Sequence, residues 1–210
     1  EVFPEIYNIV REKTEIQLDK VTPETDQVIL NGYINYNILY YTNDSDMVYG
    51  IEGEIPFEET LRIGNTDENS IVDVKMEVDS SNVKLYNSRK FALRAEILIS
   101  AVSEGLESIE FPDKMENSRG MEVLNDTVET MSVVAEQTEN IRIKESVYIP
   151  GVKPAADRIV WKELKLKNVT SRVNDGMINV SGEMYVFIMY LPEEADMPNQ
   201  WIETTVDFKD

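Results

Sequence analysis

Apolar residues fall at every second position along most of the chain. In "VILNGYINYNILYY", Val28, Leu30, Ile34, Tyr36, Ile38 and Tyr40 alternate with the mixed set Ile29, Asn31, Tyr33, Asn35, Asn37 and Leu39. A period of two with one apolar side predicts a strand that buries that side. The stretch "TNDSD", Thr42 to Asp46, is a cluster of turn formers. Tyr49, Ile51, Ile55 and Phe57 then alternate with Gly50, Glu52, Glu54 and Pro56. The two runs predict a hairpin with a longer loop. Pro56 has no N–H for a ladder, so it is expected at a strand end or edge.

"VDVKMEVD" alternates strictly, with Val72, Val74, Met76 and Val78 on one side and Asp73, Lys75, Glu77 and Asp79 on the other. "VKLYNSRKFALRAEILI" predicts another hairpin, turning at Asn87-Ser88-Arg89, with Phe91, Leu93, Ala95, Ile97 and Ile99 on one face. The spacing of turn signals is that of an all-β chain of antiparallel β-sandwich or barrel-like modules. From Ser103 to Gly120 the pattern fades into a polar, acidic stretch, and it returns weakly in "MEVLNDTVETMSVVAEQ". It strengthens in "NIRIKESVYIP", where Ile141, Ile143, Val147 and Ile149 are in phase with one charge, Glu145.

The chain states its strongest strand twice. "INVSGEMYVFIMYL", Ile178 to Leu191, matches the first stretch with glycine at the fifth place and Tyr at the thirteenth. Setting Pro4 against Pro154 aligns Ile9 and Val10 with Ile159 and Val160, Gly32 with Gly182, Tyr40 with Tyr190, and Asp46-Met47 with Asp196-Met197. One inserted residue then aligns Ile51 with Ile202 and Phe57 with Phe208. Shared Pro, Gly, Tyr and Asp-Met at one offset exceed what two unrelated amphipathic strands show. Both copies change parity at one place, between Leu18 and Val21 and between Leu166 and Val169. A bulge or bend at that place is predicted. The interior glycines, Gly32 and Gly182, predict a bend or a close backbone approach.

Copy one continues after Phe57 in further strands to about Val102, whereas copy two stops just after Phe208. The reading is a first β module at 1–103, an acidic linker with weak strand character at 104–140, and a second, incomplete β module at 141–210. The chain is expected to be an excerpt. The edge left by its truncated sheet is expected to be filled by the partner repeat, by a second chain or by an unusual pairing.

Composition narrows the chemistry. The 40 acidic and 20 basic residues give a net charge of -20, a surface that repels phosphate backbones and anionic lipid and argues against nucleic acid as a partner. The chain has no Cys and no His, which removes disulfides, thiolate sites, the usual general base and the commonest transition-metal ligand. No apolar run is long enough to span a bilayer, so no membrane insertion is expected. Glu52, Glu54, Glu58 and Glu59 are the carboxylates closest to a glycosidase pairing, but they sit on an exposed strand face and turn. "NDSD" at Asn43 to Asp46 lacks the glycine and the full series of alternate oxygens of a calcium loop and reads as a hairpin loop. "NDG" at Asn174 to Gly176 reads as a tight hairpin turn. The expectation is a non-enzyme with no catalytic residues, no metal and no cofactor.

Aromatic residues remain. Tyr33 and Tyr185 are read as sharing a repeat position on the less apolar face, where they stack on sugar rings or anchor a partner; Trp201 joins them as a contact candidate.

"YGIEGEIPFEETL", "LYNSRKFALRAEI", "RIKESVYIPGVKPAADRIVW", "DGMINVSGEMYVFIMYL" and "QWIE" together resemble the SPOCS-domain family of SipL-like spore-coat morphogenetic proteins of endospore-forming Clostridia, often ending in a LysM module. The resemblance spans most of one repeat and the first half of another. It implies a non-enzymatic structural or scaffolding protein acting by protein–protein interaction in spore-envelope assembly. It implies a soluble protein of the mother-cell cytoplasm or of the spore surface, with other envelope proteins as partners and self-association through exposed strand edges. Peptidoglycan contact is implied only through domains outside this chain. No LysM-like segment lies in these residues, so the LysM-associated binding of a coat basement-layer ATPase is not carried over. A glycan-binding module and a passive spacer for a terminal module are the alternatives.

Overall fold

The computed structural model describes residues 3–104, 120, 142–174, 176–194 and 197–209. Among them every regular element is a strand, and every pairing is antiparallel. The described residues of 3–104 and 144–209 belong to one compact unit. Nearly all of the predicted 104–140 linker lies outside the described residues.

Three strands, β1 (Asn8–Glu24), β2 (Gln27–Tyr41) and β3 (Val48–Arg62), make a sheet in that order. The predicted hairpin is β2–β3, closed by the pair Tyr41–Val48 over the loop 42–47. Pro56 stands opposite Tyr33 in the middle of β3, which is an edge strand, so its missing N–H breaks no ladder. β4 (Ile71–Asn87) and β5 (Lys90–Glu104) form a hairpin of their own. The two runs "VDVKMEVD" and "VKLYN" belong to one 17-residue strand rather than to separate elements. A register shift between Val78 and Ser80 changes parity, so Val72 to Val78 and Val83 to Leu85 present one apolar face. The turn is tight, with Asn87 paired to Lys90 and the Asn87 Oδ1 accepting from the Arg89 N–H at 2.9 Å.

The second copy is β6 (Ala156–Asn174), β7 (Met177–Pro192) and β8 (Gln200–Lys209), again in sequential order. Asn174 pairs with Met177, and Gly176 has φ +76°, so the "NDG" turn needs its glycine. Residues 142–150 are irregular, against the predicted strand in "NIRIKESVYIP". No described strand pairs with them, and alternation without a ladder partner does not make a strand.

The two copies agree in detail. Tyr40 Oη donates to the Pro4 carbonyl at 3.2 Å, and Tyr190 Oη donates to the Pro154 carbonyl at 3.0 Å. Gly32 pairs with Phe57 and Gly182 with Phe208. A Cβ on Gly32 would run into the Gln17 carbonyl and the Phe57 ring; one on Gly182 would lie 3.0–3.1 Å from the Phe208 ring and the Lys167 carbonyl. The predicted parity change is a register shift between Leu18 and Lys20 in one copy and between Lys167 and Thr170 in the other. Asn168 takes φ +52° there, a left-handed residue that lets the chain step over. A second shared shift lies at Ile9/Arg11 and Ile159/Trp161, which bulges Val10 and Val160.

In the first copy β4–β5 lies along β1. The Glu12 carboxylate accepts from the Val83 N–H at 2.6 Å, and the Ile6 N–H donates to the Ser88 carbonyl at 2.8 Å. The Phe91 ring meets Tyr36 edge-on at 6.1 Å. This cover completes the sandwich: Val28, Leu30, Ile38 and Tyr40 are 0% exposed.

Candidate interaction surfaces

The copies meet through the faces of their sheets that carry Leu39 and Trp161. Leu39, Val160 and Trp161 are buried together, with Val48, Phe187, Met189 and Leu191 packed around them. Each fully buried side chain of this size contributes about 1.5–3 kcal/mol. The exposed ion pair Lys162–Glu52, 2.8 Å, contributes about 0–1 kcal/mol. Apolar burial therefore holds the copies together, and the charges fix their register.

Two contacts join a repeat position to its own counterpart. Arg11 stacks its guanidinium 5.0 Å over the ring of Trp161. Asn199 bonds Val48 twice, accepting from its N–H at 2.7 Å and donating to its carbonyl at 2.9 Å. Contacts of like with like mark a local two-fold relation. Glu163 locks it. Its carboxylate accepts from Trp161 Nε1 at 3.2 Å, and pairs with Arg11 at 2.8 Å and with Lys165 at 3.4 Å. Burial works against its ionisation, but the Trp161 hydrogen bond and the Arg11 and Lys165 charges outweigh it and hold the carboxyl below its usual range.

The two-fold relation breaks at one position. Gly50 lies against the Val160 backbone with no room for a Cβ. Its counterpart is Trp201, which is 51% exposed. Val160 is consequently 3% exposed and Val10 53%. Val10 lines an open groove of about 830 Å³ with Tyr7, Leu39, Tyr41, Val48 and Met189.

The contact candidates are not brought together. With Gly32 matched to Gly182, the place of Tyr33 is held by Glu183, and the place of Tyr185 by Asn35. The shared repeat position is therefore corrected: the two tyrosines lie on corresponding faces but are two residues out of step. Tyr33 is in the first sheet, between Gln17 and Pro56. Tyr185 and Trp201 share a face of the second sheet. Trp201 pairs with Met189, four residues along β7 from Tyr185, or about 13 Å. Tyr185 Oη donates to Glu203 Oε2 at 3.0 Å, and Lys167 Nζ stands 4.5 Å over its ring. That hydrogen bond, with some desolvation, pushes its phenol up. Lys153 Nζ stands 4.8 Å over the Trp201 ring and donates to the Trp201 carbonyl. Trp201 and Lys153 line a groove of about 600 Å³ with Tyr148, Pro150 and Glu203. Of the carboxylates weighed for catalysis, Glu52 is paired with Lys162, and Glu58 accepts from Asn31 Nδ2 at 2.9 Å.

A third surface has no signature in the sequence. Leu164, Leu166, Val173 and Ile178 are 55%, 59%, 78% and 67% exposed, and the strand register puts all four on one face of the second sheet. Ile178 is the counterpart of Val28, which is 0% exposed. The difference is the cover: among the described residues no hairpin stands over this face as β4–β5 stands over the first.

Residues 5–86 match the family described as SipL, SPOCS domain. The first module is a SPOCS domain. The match runs from the segment that Tyr40 anchors into the end of β4, so it includes the three-stranded sheet and the first covering strand. The second copy is tied to the SPOCS domain by its register, its paired Tyr–Pro bonds and its bulges. No curated protein and no solved structure matches the chain at a significant level. The SPOCS family suggests a spore-coat-related role for the matched module. No helix among the described residues is long and apolar enough to cross a membrane.

Proposed function

We propose that the chain is a non-enzymatic scaffold that acts by protein–protein contact in assembly of the spore envelope. The SPOCS match at residues 5–86 supports the setting. The exposed apolar face of Leu164, Leu166, Val173 and Ile178 carries the mode of action. Exposed apolar side chains on one sheet face are a surface that proteins, rather than sugars or phosphates, cover.

The fluorescently tagged protein, followed through sporulation, tests the setting. Accumulation around the forespore is the expected result. Uniform cytoplasmic signal at every stage, with normal coat formation when the SPOCS segment is deleted, would contradict it.

A second reading is supported by Trp201. It stands half exposed in a groove with Tyr148 and Lys153, and an indole with a free face stacks on sugar rings. Calorimetry with peptidoglycan fragments decides: saturable heat that Trp201→Ala abolishes favours a glycan module, and no heat favours the scaffold.

A further inference from the structure

The two copies hold a polar cleft of about 590 Å³ between them. Cross-strand pairing puts Lys13, Asn37 and Glu52 in one row on a face of the first sheet, and Glu15, Asn35 and Glu54 in the next. Lys162 and Leu164 of β6 line the same cleft from the second copy, so one copy alone does not build it. Asn37 is out of place there. Its Oδ1 is buried and meets no hydrogen-bond partner among the described residues. Buried polar atoms are nearly always paired, and Asn is disfavoured in strands. The fold does not call for it. The second copy, in the same register, carries Phe187 in the place of Asn37 and Tyr185 in the place of Asn35. The two asparagines therefore serve something other than the sheet. We infer that the cleft is a binding site for a neutral, hydroxyl-rich ligand, an extended oligosaccharide.

The charges set the class of ligand. Lys13 pairs with Glu15 at 2.7 Å and Lys162 with Glu52 at 2.8 Å, so both ammoniums are neutralised within the cleft. An anion meets the carboxylates of Glu15, Glu52 and Glu54 and a chain of net charge -20, while a cation meets two ammoniums. A hydroxyl both donates and accepts. It gives its proton to Asn37 Oδ1 or to a carboxylate, and takes one from a lysine or an asparagine amide. Ion pairs this open to water stabilise little, so a ligand hydroxyl displaces one at small cost. Tyr33 stands one row beyond Asn35 on the same face, opposite Pro56. Its ring supplies a stacking plane about 13 Å along β2 from Asn37. No register shift interrupts β2 between them, and a straight run of that length suits a chain of sugar rings rather than a single one.

The cleft stands apart from the exposed apolar face of the second sheet, so its test leaves the sporulation result untouched. Cellotetraose and chitotetraose are titrated into the isotope-labelled 210-residue chain, and NMR follows the side-chain amides of Asn35 and Asn37. Saturable shifts of both amides with either sugar are expected, with the Trp201 indole unmoved and with the same result in Trp201→Ala. Asn37→Phe, which installs the second copy's residue, is expected to abolish these shifts at Asn35 while the thermal midpoint stays the same or rises. Asn37→Ala, which keeps the test if the larger side chain misfolds, is expected to weaken binding about ten-fold or more. No shift with either tetrasaccharide at about 10 mM overturns the inference. So does binding of wild-type strength in Asn37→Ala, or shifts confined to Trp201 and its groove. Shifts with a Ser-Thr peptide but with neither sugar overturn it in favour of a peptide groove.

Discussion

Gly50 sits against the Val160 backbone so closely that a Cβ there would overlap the Val160 carbonyl. The glycine is what lets β6 settle onto β3 and bury Val160 and Trp161 together. Gly50→Ala must push the strands apart, and overpacking of this kind costs about 1–3 kcal/mol. Urea denaturation is expected to show that loss, with hydrogen exchange quickening in 158–163. Trp201→Ala, at the counterpart position where the ring is half exposed, is expected to leave exchange in 158–163 unchanged.

Gly32 and Gly182 hold one topological place, yet their surroundings differ in tolerance. A Cβ on Gly32 meets the Gln17 carbonyl and a ring atom of Phe57 at 2.8 Å, whereas one on Gly182 meets its nearest neighbours at 3.0–3.1 Å. A few tenths of an ångström of give suffices for Gly182, where the second copy lacks a covering hairpin. Gly32→Ala is expected to destabilise clearly more than Gly182→Ala in paired thermal melts. Equal losses would contradict the difference in space around the two glycines.

Tyr40 and Tyr190 make one bond twice, to Pro4 and Pro154. Each hydroxyl fixes the segment that enters its copy. Tyr40→Phe and Tyr190→Phe are each expected to cost about 0.5–1.5 kcal/mol, and the double variant close to the sum, because the two hydroxyls share no hydrogen-bond partner. Denaturant midpoints of the three variants check this.

Glu163 makes the contact between the copies acid-sensitive. Its carboxyl is held below the usual range in the folded chain, so the unfolded chain binds the proton more readily. The stability it contributes is fully present above the unfolded value of about 4.3 and is lost as the pH falls through the depressed folded value. Glu163→Gln should flatten that part of the stability-against-pH curve. At pH 7 it should cost about 1.5–3 kcal/mol, the range for hydrogen bonds to a charged group.

Much of this was legible in the sequence because a period of two carries its own evidence. Val28 to Tyr40 sets the phase of β2, and the repeat offset carries that phase to Ile178 to Tyr190. Pro56 at an edge and the parity change after Leu18 follow from the missing N–H and from the side-chain pattern. The shift at Val10 and Val160 was hidden, since Ile9 and Val10 are apolar on both parities and no phase break shows. Gly50 looked like any exposed strand glycine, because what it touches is distant in sequence. Tyr33 and Tyr185 were misaligned because tyrosines recur on both faces of β2; only the fixed point at Gly32 and Gly182 sets the count. The "NIRIKESVYIP" run has a strand's alternation but no described partner strand.

One β unit occurs twice, and among the described residues only the first copy's face is covered. Methyl groups of Ile, Leu and Val, read by NMR with a neutral paramagnetic probe in the solvent, measure this directly. Strong broadening is expected at Ile178, Leu164, Leu166 and Val173, and none at Val28 and Leu30. Ile178 as well shielded as Val28 would contradict it.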